Sequence, residues 1–156
     1  MKDELKQDYM LRISNANATA LVVILYDMFD SYCDDAMEAD PESEDFRLAI
    51  RHARGCLSEL IESLNMEQEI ARYTCQLYRF VERRLIMADI RRNQTDIPRC
   101  IDMMKRLRNA YAEATKDDRS EALMRNTDVV YAGMTYGRST VNTESAAVAS
   151  NSGFLA

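Results

Sequence analysis

With 156 residues the chain has room for one domain and a tail, and its 47% apolar content can supply a core. Four glycines and two prolines are too few for a turn-rich β fold and point to long helices instead. The net charge of −6 argues against nucleic acid, whose phosphates need a concentrated basic surface, and no run of about 18 apolar residues exists to span a membrane.

Residues 1–14 carry a short apolar set, Leu5, Tyr9, Met10, Leu11 and Ile13, and read as a brief helix or a strap across a bundle. Their start, Met1-Lys-Asp-Glu-Leu5, is too charged for a signal peptide. The bundle itself is expected over residues 15–125. Asn15 or Asn17 caps a first long helix that runs to Ala39, with Leu21, Leu25, Met28 and Tyr32 on one face. Asp40-Pro41 ends it, because the residue before proline disfavours the α region. Ser43 starts the second helix, which closes near Leu64-Asn65 and shows the face Phe46, Ile50, Ala53, Leu57, Leu60 and Leu64.

The third helix starts near Glu67 and runs to Arg91-Arg92 without a glycine or proline. Ile70, Thr74, Leu77, Val81, Leu85 and Ala88 form one apolar stripe at helical spacing, while Tyr73, Phe80 and Met87 lie off it, seven residues apart. A helix with two apolar faces either sits inside a bundle or presents one face to a partner. Leu77, Val81 and Leu85 read as core, and Tyr73, Phe80 and Met87 as the outward face. Thr95 or Asp96 caps the fourth helix, with Pro98 tolerated in its first turn. Ile97, Ile101, Met104, Leu107 and Tyr111 follow its period, which fades near Thr115.

Residues 116–125 have the makings of one more short helix around Leu123 and Met124. From 126 to 156 the composition turns to Ser, Thr, Asn, Ala and Gly, the mark of a flexible tail. Its apolar islands, Val129-Val-Tyr131, Met134, Tyr136 and Gly153-Phe-Leu-Ala156, either stay solvated or fold back onto the bundle. Four long helices joined by connections of about two to six residues give an all-α, antiparallel up-down four-helix bundle.

Enzyme chemistry finds little foothold. The single histidine, His52, excludes a di-iron bundle with its two Glu-x-x-His motifs. There is no Gly-rich phosphate loop and no Gly-x-Ser-x-Gly. The neighbours Asp34 and Asp35 point about 100° apart on a helix and make no acid/base pair. No catalytic residue, metal ligand or cofactor is therefore assigned. Cys33, Cys56, Cys75 and Cys100, without a CxxC, read as small apolar core residues in a reducing compartment. Histidine phosphotransfer bundles carry a His-x-Leu-Lys-Gly run. Here Arg51-His52-Ala53-Arg54-Gly55 has its glycine three residues after the histidine, so a phosphotransfer domain using His52 stands only as the alternative. Ten methionines, Met28, Met87, Met103, Met104 and Met124 among them, suit irregular core gaps or an adaptable groove for an apolar helix.

Several runs over residues 9–114 resemble one family. Leu21-Val-Val-Ile-Leu-Tyr-Asp27 resembles a Leu-x-x-Met-Leu-Tyr-Asp run. Glu69-Ile-Ala71, Leu77-Tyr78, Arg83-Arg84-Leu85 and Ala88 follow the order of a Glu-Ile-Ala…Leu-Tyr-Asp-Tyr-Met-x-Arg-Arg-Leu…Ala-Asn run. Leu107-Arg108-Asn-Ala-Tyr111 stands where a Leu-Arg-Asp-Ala-Trp-like ending is found. The family is that of the flagellar secretion chaperone FliS. The chain departs from it at Asn15-Ala-Asn-Ala18, which lacks the proline of Thr-Ala-Ser-Pro. It departs again at Glu67-Gln68 in place of Gly-Gly, at Arg79 in place of Asp and at Asp89 in place of Asn.

The resemblance implies a bacterial cytosolic chaperone that holds the C-terminal segment of flagellin, prevents its premature polymerisation and helps deliver it to the export gate. An adaptor bundle for another client is a further alternative, and exposed apolar faces would also allow a homodimer. The resemblance and the second apolar face together place partner binding at Tyr9, Met10, Ile13, Tyr26, Tyr73, Leu77, Tyr78, Phe80, Arg84, Met87, Met104 and Tyr111.

Overall fold

A computed structural model describes residues 1–124, which form five helices and, among the described residues, no strand. They are α1 (Asp3–Ser14), α2 (Ala18–Glu38), α3 (Glu44–Glu62), α4 (Glu69–Arg91) and α5 (Ile97–Ala114). The tail expected over 126–156 lies outside the described residues.

Local chemistry sets the helix ends. The Asn17 side chain accepts the N–H of Ala20 at 2.8 Å, and the Ser43 hydroxyl accepts that of Phe46 at 3.1 Å. Each such cap satisfies one orphan donor and contributes about 1 kcal/mol. Asp96 precedes α5 without capping it; its carboxylate instead takes the Arg84 guanidinium at 3.2 Å. α4 closes on Arg92 in the left-handed region, φ 54°, a position usually left to Gly or Asn. The next turn then serves another helix. Gln94 Nε2 donates to the carbonyls of Ala36, Met37 and Ala39 at 2.9, 3.1 and 2.8 Å, covering the C-terminal acceptors that α2 cannot satisfy itself.

The four long helices close a ring, α2 on α3, α3 on α4, α4 on α5 and α5 back on α2. Ion pairs show that neighbours run in opposite senses. Asp27 meets Arg108 and Asp30 meets Lys105, while Arg47 at the start of α3 meets Asp89 near the end of α4. This is the up-down bundle expected of short connections. α1 packs chiefly on α2. Tyr9 is buried there with its hydroxyl 2.9 Å from that of Ser31, and Arg12 lies over the Tyr9 ring. Asp27 binds Arg12 at 2.7 Å and Arg108 at 2.9 Å, so one carboxylate ties α1, α2 and α5 together.

The core comes from every helix of the ring: Phe29 and Cys33, Phe46, Leu57 and Leu60, Val81 and Leu85, and Ile97 are all fully buried. The face expected of α3 is the buried one, with Leu64 only partly covered. On α2 the deepest residues are Ile24, Tyr26, Phe29, Cys33 and Ala36, whereas Leu25, Met28 and Tyr32 are half-covered. α2 touches α1, α3 and α5, so its apolar surface is broader than a single stripe and its deepest line runs between the expected positions. Burial also raises the thiols of Cys56 and Cys100 from 9.0 to about 12 and about 11, which keeps them protonated and unreactive.

Among the described residues no helix follows α5. The segment turns back along the start of α2, where Leu123 N–H donates to Ala16 O at 2.8 Å and Asn17 Nδ2 donates to Ser120 O at 3.1 Å.

Leu85→Ala should cost about 2–5 kcal/mol in urea unfolding, because a fully buried site cannot refill the lost volume. Gln94→Ala should cost about 1 kcal/mol by stripping the C-terminal cap of α2. An unchanged midpoint for that variant would mean that water replaces the amide without loss.

Candidate partner-binding groove

α4 carries the correction that matters most for function. Val81, Leu85 and Ala88 of the expected stripe are buried, but its N-terminal half is not. There Ala71 and Tyr78 face inward, while Ile70 is 69% and Leu77 39% exposed. Leu77 is thus not core. It lies outside with Tyr73, which is 58% exposed. Phe80, expected to face outward, packs against the core and carries the Arg84 guanidinium over its ring at 5.1 Å.

The inward turn at Ala71 and Tyr78 leaves an apolar groove of about 470 Å³ at the end of the bundle where α3 stops and α4 begins. Tyr26 and Tyr78 form its floor, with Val22 of α2 beside them. Leu64 and Ile70 wall one side; Leu107 and Tyr111 of α5 wall the other. Ala71 and Thr74 on α4 and Ala110 and Ala114 on α5 also line it. Small side chains at these four positions cannot fill the space between the helices, and this is why the groove exists. Ser63, Asn65 and Gln68 make a polar rim, and none of the lining residues is charged.

The floor is held by a buried phenol pair. The Tyr26 and Tyr78 hydroxyls hydrogen-bond to each other, with ring centroids 6.2 Å apart, and Tyr111 stands 6.5 Å from Tyr26. Burial raises the pKa of both floor tyrosines, and for Tyr78 the bond to Tyr26 adds to the effect.

The groove gathers Tyr26, Tyr78 and Tyr111 of the residues singled out in the sequence, with Tyr73 and Leu77 on the exposed face of the same helix. The others lie elsewhere. Tyr9 and Ile13 pack on α2 in a separate small cluster with Ala16 and Ile24, and Met10 is exposed on α1. No residue of α1 lines the groove. Met104 is 2% exposed and belongs to the core. Arg84 is engaged with Phe80 and Asp96, and Met87 is half-buried further along α4. Sequence reasoning missed Val22, Leu64, Ile70, Ala71, Thr74, Leu107, Ala110 and Ala114 as lining. For the small ones the signal was present as helical spacing, 71 and 74 on α4 and 110 and 114 on α5.

His52 is exposed, with its imidazole centroid 4.8 Å from the Tyr32 ring. It shares a hollow with Asp35, Glu38 and Asp45 and also with Lys6 and the Met1 amine, which pairs with Asp35 at 2.6 Å. Among the described residues no group of His, Cys, Asp or Glu is placed to hold a metal ion, and no helix is long and apolar enough to cross a membrane.

These features define a class: an all-helical bundle with an uncharged apolar groove at one end. The family model described as flagellar protein FliS matches residues 1–118. The chain belongs to the FliS family and is a flagellar export chaperone. No curated protein and no solved structure matches it.

Raised phenol and thiol pKa values stabilise the fold below the ordinary values of 9.0 for the thiols and 10.0 for the tyrosines, and that stability is lost as pH rises above them. Tyr78→Phe should lose about 1 kcal/mol at neutral pH and show a shallower decline above pH 10 in urea unfolding. Equal slopes for both proteins would mean that the phenol is solvated.

Proposed function

We propose that the chain binds the C-terminal segment of flagellin in this groove. Bound there, the segment is kept from polymerising in the bacterial cytosol and is handed to the export apparatus. The observation that carries the reading is the groove itself, apolar and uncharged in a chain of which 29% is charged. An amphipathic segment that folds on binding needs such a surface, and it can extend beyond the groove over a neighbouring apolar face. Ile70, Tyr73 and Leu77 provide that extension on the outer side of α4. The protein acts by covering its client, with no chemical step of its own.

Ala110→Trp, which fills the groove, and Ile70→Asp, which charges its wall, should each weaken binding of a flagellin C-terminal peptide by about tenfold or more, equivalent to about 1.4 kcal/mol. Titration calorimetry measures the affinity, and circular dichroism checks that the bundle is intact. Both positions are exposed, so neither change should lower the melting temperature appreciably. Undiminished affinity in both variants would remove the groove from the client site. Phe80→Asp, by contrast, should destabilise the bundle, because Phe80 packs on the core.

A further inference from the structure

We infer that the chain's own segment 129–136, with Val129, Val130, Tyr131, Met134 and Tyr136, occupies the groove in cis when no client is bound. This rests on the reading of the groove as the client site. The first ground is position. The described chain finishes at the groove's end of the bundle, since Leu123 N–H is bonded to Ala16 O just before α2 and Val22 of that helix lines the groove. At 1.5 Å per residue, Ala18, the first residue of α2, and Val22 are separated by about 6 Å along the helix. The five residues from Met124 to Val129 span up to about 17 Å. The tether of the first apolar island is therefore long enough to reach the groove.

The second ground is chemical match. The groove is lined without a charge, and its rim offers Ser63, Asn65 and Gln68 for hydrogen bonds. Residues 125–156 contain only Arg125, Asp128, Arg138 and Glu144 as charged groups, and these cancel. Between Asp128 and Arg138 every side chain is apolar or small and uncharged. A charged segment would have to be desolvated to enter, whereas this one carries mostly apolar surface to bury. A tethered segment acts at a high effective concentration, so modest intrinsic affinity suffices to hold it there. A client with a larger apolar surface then displaces it.

The test uses the full chain and a double variant, Val130→Asp with Tyr131→Asp. Hydrogen exchange is read over residues 63–78 and 107–114, and titration calorimetry measures a flagellin C-terminal peptide. Exchange in both stretches should be several-fold faster in the variant, independent of protein concentration, and the peptide should bind it about three- to tenfold more tightly. Identical exchange in the two proteins overturns the inference, and peptide binding to the unmodified chain would still uphold the client reading. Protection that fades on dilution assigns the groove to the tail of a second copy and also overturns the inference. Faster, concentration-independent exchange with no peptide binding to either protein upholds the tail contact while removing flagellin as the client.

Discussion

Two buried tyrosine hydroxyls that satisfy each other hold the floor of the groove. Tyr26 on α2 and Tyr78 on α4 both lie in the interior, where an unpaired hydroxyl is costly. Their mutual hydrogen bond removes that cost and links helices that are not neighbours in the ring. Tyr78 can turn inward only because the helical register of α4 places Ala71 on the same side, and Ile70 and Leu77 are then carried outward. One pairing thus sets the floor of the groove, its apolar wall and the exposed face beside it.

The rest of the molecule keeps that arrangement rigid. Asp27, directly after Tyr26, binds Arg12 and Arg108 and so fixes α1 and α5 against α2. Both pairs are partly exposed, so their worth lies more in orientation than in free energy. At the far end, Gln94 and Arg92 reach the carbonyls at the close of α2 and the α2–α3 turn. Between these ends the packed core of Phe29, Phe46, Leu57 and Leu85 supplies most of the stability. The groove sits where large side chains give way to alanine and threonine, and the division between packed core and open groove follows side-chain volume.

Only the aromatic part of the groove was legible one helix at a time. Tyr26, Tyr78 and Tyr111 stand out as aromatic residues in family-like runs, and all three meet at the groove. Met104 shows the opposite case: its methionine character suits a groove as well as a core, and only its neighbours decide that it is buried. Phe80 and Tyr73 share a spacing of seven residues, yet one packs inward and the other is exposed. A helix turns 3.6 residues at a time, so seven residues drift by about 20°, and a partner helix that covers one position need not cover the other.

The amino-acid sequence by itself determined the four long helices and the start of two of them. Asn17 and Ser43 cap where their side chains can reach the next turn, and the inward face of α3 follows from a strict helical period. These are local matters of backbone hydrogen bonding and of apolar spacing within one segment. The tertiary structure alone decided which of two apolar faces on α4 is core and which is surface. That choice depends on the volumes that α2 and α5 bring against it: Tyr26 claims Tyr78, while Ala110 and Ala114 leave the space beside it open. Periodicity within one helix carries no information about the bulk of its neighbours, and the groove is made of the difference.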